Sequence, residues 1–276
     1  MMNKRLYLLA SLVLLSGAVS MGTIAYLQGD FKMVGSSTDP SASQVVPIEL
    51  SEDGVQESSD AVQVEGESLV ITAAGHYEIS GQAPAVTVQV AADVANEVTI
   101  TLNNASFAQL DFQSTGTNIL SLAKDSTNSL SGAETGISAT NVTLTGEGSL
   151  AISEVSSYGI FASDDLVVES GTLTIDSAGS GLYAFHQTEA SHGNLTINGG
   201  NLTISSSQQE GAALFAGNQL TVNNGEVTVN AAYEAYVGKN LMIKGGTAQL
   251  ETTANGLVSR DYFLQEGEIS EANISI

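Results

Sequence analysis

Cysteine is absent from all 276 residues, which excludes a disulfide framework, a thiolate metal site and a cysteine nucleophile. Tryptophan is absent too, and proline is limited to Pro40, Pro47 and Pro84. Positive charge is scarce: 7 Lys+Arg stand against 30 Asp+Glu, a formal net charge of −23. Nucleic acid and anionic membrane both recruit proteins through a basic footprint, so neither is an expected partner. Only 13% of residues are charged and 42% are hydrophobic, which excludes wholesale disorder and leaves packing as the source of stability. Gly, Ser, Thr, Asn and Val are abundant, the composition of short strands joined by tight turns.

A long apolar run occurs at the start of the chain. Lys4 and Arg5 precede it, and it covers residues 6–27. As a cleaved leader it would use residues 6–18 as its apolar core and Ala18-Val19-Ser20 as a small-residue cleavage site. As an anchor its 22 residues would suffice to cross a bilayer, which takes about 20. In both cases the basic end stays cytoplasmic and the remainder is exported, so membrane contact is expected only through the anchor. Without cysteine there is no lipoprotein attachment site. Residues 29–44 are a polar spacer broken by Pro40. From Val45 to Ile276 short β-type runs continue without a change of character. The expected organisation is a leader or anchor over 1–28, a linker over 29–44 and one domain over 45–276.

That domain is repetitive. One template, apolar-x-apolar-x-x-Gly-x-apolar-x-apolar, recurs as LVVESGTLTI from Leu166, LTINGGNLTI from Leu195, LTVNNGEVTV from Leu220, LMIKGGTAQL from Leu241 and YFLQEGEIS from Tyr262. A longer copy, VTLTGEGSLAI, starts at Val142. The template glycines are Gly148, Gly171, Gly200, Gly225, Gly246 and Gly267, spaced 23, 29, 25, 21 and 21 residues apart. Period-2 alternation on each side of the glycine specifies two short strands, with a bend between them that favours φ > 0. A second template supplies a third strand: Gly159-Ile160-Phe161-Ala162, Gly181-Leu182-Tyr183-Ala184, Ala213-Leu214-Phe215-Ala216, Ala235-Tyr236-Val237 and Gly256-Leu257-Val258. Three strands per repeat predict an all-β fold, a single-stranded right-handed parallel β-helix of nine or ten coils. A column of turn residues six places before each glycine fits the same stacking: Asp165, Asn194, Gln219, Asn240 and Asp261, with Asn141 one place earlier in the longer copy. Short amides and carboxylates there can bridge successive coils. The last edge is expected to be covered by the segment NISI or by a partner.

The block ITAAGHYEISG, followed by VTITLNNASF, DSTNSLSG and repeated Gly-Ile or Gly-Leu turns with GG-x-L-x-I, resembles the secreted bacterial β-helix carbohydrate-binding proteins. The resemblance covers residues 45–276. It implies a fold related to polysaccharide lyases, binding of cellulose and acidic polysaccharides, and calcium held in the coils. One feature departs from the family pattern. Asp often precedes the strand-opening Gly-Ile in that family, whereas Tyr158, Ser180, Ala212, Glu234 and Asn255 stand there in this chain. Calcium takes six to eight oxygen ligands, usually with several carboxylates, so no metal ligand is assigned.

Alternation makes Ile160, Ala162, Leu182, Ala184, Leu214, Ala216 and Val237 inward-facing and turns Phe161, Tyr183, Phe215 and Tyr236 outward, with Leu257 next in the outward row. Four such rings span about three coil spacings, roughly 14 Å, a length comparable to several sugar rings. The opposite parity would make them an internal aromatic stack. Lys239 and Arg260 each lie seven residues before a template glycine, so they should stack on adjacent coils and could receive the carboxylates of an acidic sugar. The bland alternative is a solvated turn. No catalytic residue is assigned. Asp164-Asp165 is an adjacent aspartate pair whose second member already fits the turn column, and His186 and His192 flank an insertion without a metal-ligand spacing. The expected function is therefore non-catalytic binding of a plant or bacterial cell-wall polysaccharide outside the cell. A structural surface protein or adhesin, and a degenerate lyase or hydrolase, are the alternatives.

Overall fold

The computed structural model describes residues 44–51, 54–56, 59–208, 211–270 and 274–275, all within one compact unit. The expected leader and the linker up to residue 43 lie outside the described residues. Strands form where apolar residues alternate with polar ones. In Val45–Ser51 and Thr172–Ser177 buried and exposed positions alternate without a break, as a pleated ladder with one wet face requires. All described strands join one sheet of 24 strands, wound into a parallel β-helix of about nine turns.

Each full turn contributes three strands, which stack into three faces. Face A carries the second template, face B the first half of the glycine template and face C its second half. On face A the inward row runs Leu110, Ile137, Ile160, Leu182, Leu214, Tyr236 and Leu257. Face B aligns Leu144, Val168, Ile197, Val222 and Ile243. Face C aligns Ile152, Ile175, Ile204, Val229 and Leu250. These rows meet along the axis and form one continuous core, with Ile160, Leu182, Leu214, Leu166, Leu195, Leu202 and Ile204 fully buried. No single turn could cover its own apolar side chains, so each turn is stabilised by its neighbours.

The glycine bend takes the expected form in four copies. Gly171, Gly200, Gly225 and Gly246 have φ of +101°, +93°, +106° and +79°, where a Cβ is strained. In the longer first copy the positive φ falls on Gly146 rather than Gly148, and Gly267 does not take a positive φ.

Two antiparallel pairings occur among the described strands, and both lie at the N-terminal end. Val45–Ser51 folds back onto Gly54–Gln56, and Val62–Glu65 onto Ser68–Ile71. These reversals cover part of a sheet edge that would otherwise offer unpaired backbone groups. At the other end Ile274 and Ser275 pair with Leu257 and Val258, as expected for NISI. Among the described residues no helix is long and apolar enough to cross a membrane.

The turn column bridges coils through side chains. Asn194 donates from Nδ2 and from its backbone N–H to Asp165 Oδ1, at 2.8 and 3.0 Å, and Asn218 donates to Asn194 Oδ1 at 2.8 Å. The ladder passes through Asn218 rather than Gln219, whose amide turns back to Thr221 Oγ1 at 2.9 Å.

Candidate functional site

Face A alternates inward aliphatics with outward side chains. Its outward row runs Gln89, Asp111, Ser138, Phe161, Tyr183 and Phe215, then reaches Val237 and Val258. The N-terminal part of this row is polar, its middle aromatic and its C-terminal part aliphatic. At the polar end Ser138 donates to Asp111 Oδ1 at 2.5 Å.

Phe161, Tyr183 and Phe215 are half-buried and consecutive in this row. Phe161 and Tyr183 have centroids 6.0 Å apart at 24°, and Tyr183 and Phe215 are 4.3 Å apart at 7°. Two further rings join them. Tyr158 lies 5.4 Å from Phe161 and 4.7 Å from Tyr183. Phe185, 40% exposed, lies 6.2 Å from Tyr183 and 6.4 Å from Phe215, tilted by 57° and 58°. Burial, and then the neighbouring Tyr158, raise the Tyr183 phenol above its ordinary range, so at neutral pH it is an uncharged hydrogen-bonding group.

Tyr236 does not belong to this surface. It is fully buried and pairs in register with Leu214 and Leu257, while Val237 takes the place level with Phe215. Ala235-Tyr236-Val237-Gly238 aligns with Ala213-Leu214-Phe215-Ala216, so the aromatic residue occupies the inward slot. Matching ring to ring, instead of position to position, shifts the parity by one and reverses the side chain.

Lys239 and Arg260 lie where face A turns into face B in the last coils. Between Gly238 and Asn240 the register slips, so that Gly238 faces Ser259 but Asn240 faces Tyr262. Lys239 therefore opposes two residues, and its Nζ lies 3.6 Å from Asp261 Oδ2. Asp164, of the aspartate pair, is hydrogen-bonded to His192 Nδ1 at 2.5 Å.

Tyr158 and Phe185 were not among the expected site residues. Phe185 stands two places after Tyr183 and so shares its parity, a signal present in the sequence. Tyr158 sits three places before Phe161, and only the folded strand brings its ring between those of two coils.

Two corner loops flank the rings. The connection between Ser180–Ala184 and Leu195–Ile197 is the expected insertion. A second, smaller one precedes Ala212–Val222, after Asn201–Ser206. A concavity of about 410 Å³ lies between Phe161 and Ser163 on one side and Phe185, His186, Gln187 and Thr188 on the other. Another, of about 390 Å³, is lined by residues 156–158, Tyr183, Gln208 and Gly211 among others. A larger groove, about 610 Å³, lies far from the rings, between residues 72–76 and 93–99. Size alone would favour it, but no Phe or Tyr is among its lining residues, so the ring-bearing face is the better candidate surface.

The His-containing loop is held by its own polar groups. The Glu189 N–H donates to His186 Nδ1 at 2.8 Å, and the His186 and His192 rings are 5.4 Å apart. Asp164 raises the His192 pKa, first by the hydrogen bond and then by its charge. The calcium implied by resemblance does not fit these residues. Asp164 is engaged by His192 and Asp165 by Asn194, and no three acidic or histidine side chains converge as a metal site among the described residues.

The fold and this face define a parallel β-helix protein with a cluster of aromatic side chains on one face. Residues 65–256 match the family described as "Carbohydrate-binding domain-containing protein", and the chain belongs to that family. A solved structure, the polysaccharide lyase-like protein from C. thermocellum as its gadolinium derivative, superimposes with a TM-score of 0.58 at 17% sequence identity. The match covers 83% of this chain and 98% of that one, which establishes a common fold. No curated protein matches the chain.

Proposed function

We propose that the protein is an exported, non-catalytic polysaccharide-binding β-helix whose site is the aromatic centre of face A. The observation that carries this reading is the contact of five rings, Tyr158, Phe161, Tyr183, Phe185 and Phe215, on one side of the solenoid. The rings give apolar contact, and the adjoining corners give hydroxyl and amide groups suited to sugar hydroxyls. Family membership supports carbohydrate as the ligand class, and a plant or bacterial cell-wall glycan is the ligand proposed. The net charge of −23 favours an uncharged chain over a polyuronate.

The non-catalytic reading is supported by the occupation of the aspartate pair. Glycoside hydrolysis needs two carboxyls facing each other across a bond, whereas Asp164 and Asp165 serve His192 and Asn194. Export is supported by the basic-then-apolar start of the sequence. The test is a glycan array and pull-down with the purified protein, with and without added calcium, alongside an assay for new sugar ends and fractionation of producing cells. Binding without new sugar ends, together with recovery outside the cytoplasm, is expected. Released reducing or unsaturated ends would overturn the non-catalytic reading, and absence of glycan binding would overturn the ligand class.

A further inference from the structure

We infer that the bound glycan crosses face A parallel to the strands, from one corner groove to the other, rather than running along the solenoid axis. The inference rests on the proposed site and concerns how that site is used.

Two independent observations point this way. First, four of the five rings line a groove, and the two grooves lie at opposite ends of the same strands. Tyr158 and Tyr183 border the groove with Gln208, where face C turns into face A. Phe161 and Phe185 border the groove with Gln187 and Thr188, where face A turns into face B. The Phe161–Tyr183 pair is the ridge between them. Strand Tyr158–Ala162, five residues long, runs from one groove to the other, a distance of about 13 Å at ~3.3 Å per residue.

Second, the ring planes suit a crossing chain. Along the axis Tyr183 and Phe215 are nearly parallel and close, so each covers a face of the other and an axial chain meets their edges. Tyr158 is turned 33° from Phe161 and 42° from Tyr183, and Phe185 is turned 57° from Tyr183. Each groove thus carries one ring tilted out of the stack, Tyr158 at one and Phe185 at the other. A ligand crossing the ridge therefore gains a tilted ring and polar corner groups at each end.

The loops make this arrangement local. Gln208 and Gly211 stand at the upstream edge of the face and residues 185–193 at its downstream edge, in adjacent coils. They account for the two longest glycine spacings, 29 and 25 residues. The two insertions that break the repeat thus build the two ends of one path.

Binding of β-1,4-linked gluco-, xylo- and manno-oligosaccharides, from disaccharide to hexasaccharide, is measured by calorimetry on the full protein and on three double variants. Ser156→Ala/Gln208→Ala strips one groove, Gln187→Ala/Thr188→Ala strips the other, and Ser138→Ala/Val258→Ala alters the axial row beyond the rings. Each groove variant is expected to weaken the hexasaccharide about tenfold and the disaccharide less than about twofold, with the axial variant unchanged. Hexasaccharide loss in the axial variant with intact binding in the groove variants would overturn the crossing path, as would loss in one groove variant alone or equal loss for both ligand lengths. A wild-type protein that binds none of the series would remove the proposed site itself, an outcome distinct from all of these.

Discussion

Tyr183 and Phe215 lie 4.3 Å apart with their planes within 7° of parallel. Coils stack at about the spacing at which aromatic rings prefer to meet, so rings in one register row stack on each other. The row is consequently a poor platform for sugar faces along its length. Phe185, tilted by 57° and 58° against those two rings and 40% exposed, is the better platform. Phe185→Ala should therefore cost more glycan affinity than Phe215→Ala, about tenfold against threefold or less. Isothermal titration with the best glycan from an array reads both, and the reverse ranking would show that the ring edges carry recognition.

Tyr236 presents the opposite situation. Its ring is fully buried and its hydroxyl finds no hydrogen-bond partner. Burial raises the phenol far above its ordinary range, so it stays protonated throughout the folded pH range. An unpaired buried hydroxyl costs about 1–3 kcal/mol. Tyr236→Phe keeps the ring and removes that cost, so stability should be unchanged or rise by about 1 kcal/mol. Urea denaturation measures this. A loss of 1 kcal/mol or more would mean that the hydroxyl is satisfied in solution.

These two tyrosines mark how far the sequence could be read. The inward aliphatics Ile160, Leu182 and Leu214 and the outward Phe161, Tyr183 and Phe215 follow from strict alternation, and the glycine spacing declares the repeat. Parity was lost at Tyr236 because an aromatic residue at an inward slot resembles its outward neighbours in type and differs from them only in position. Register slips were also invisible. Those beside Gly238 and Ala216 depend on how a corner packs on the previous coil, and no local pattern encodes that. Ring orientation is likewise a property of the stack: the sequence placed Phe161, Tyr183 and Phe215 in one row but carried no information about their planes.

Asn128 shows how buried amides hold successive turns. It is 1% exposed, accepts the Ala105 N–H at 2.9 Å, and donates to Ser126 Oγ at 2.9 Å and to the Ser149 carbonyl at 3.0 Å. Its partners come from the preceding turn, its own and the following one. Asn128→Ala would leave these groups short of a partner inside the protein, at a cost of about 2–3 kcal/mol. Asn128→Asp keeps the acceptor but loses the donors and buries a charge, so it should be at least as destabilising near neutral pH. Chemical denaturation of both variants decides it, and a cost below about 0.5 kcal/mol for Asn128→Ala would show that the turns hold without this bridge.

The last prediction concerns pH. His192 is exposed, yet its pKa is raised above the ordinary 6.5, mainly by its hydrogen bond to Asp164 and then by that carboxylate's charge. Asp165 and Glu189 add smaller contributions of the same sign, and the slight desolvation opposes them. A raised pKa means that the folded state prefers the imidazolium. The resulting anchorage of loop 185–193 is complete below about pH 6.5 and is lost as pH rises through the raised folded value. Amide exchange in residues 185–193, corrected for its intrinsic pH dependence, should therefore speed up across that window. The His192 ring signal should titrate above 6.5 in the wild type and return toward 6.5 in Asp164→Asn. Unshifted titration of His192 in the wild type, or a loop whose protection ignores pH, would show that the contact with Asp164 does not hold the loop. Phe185 and His186 line the groove at that loop, so glycan affinity measured at pH 6 and pH 8.5 should follow the same curve and be weaker at the higher pH.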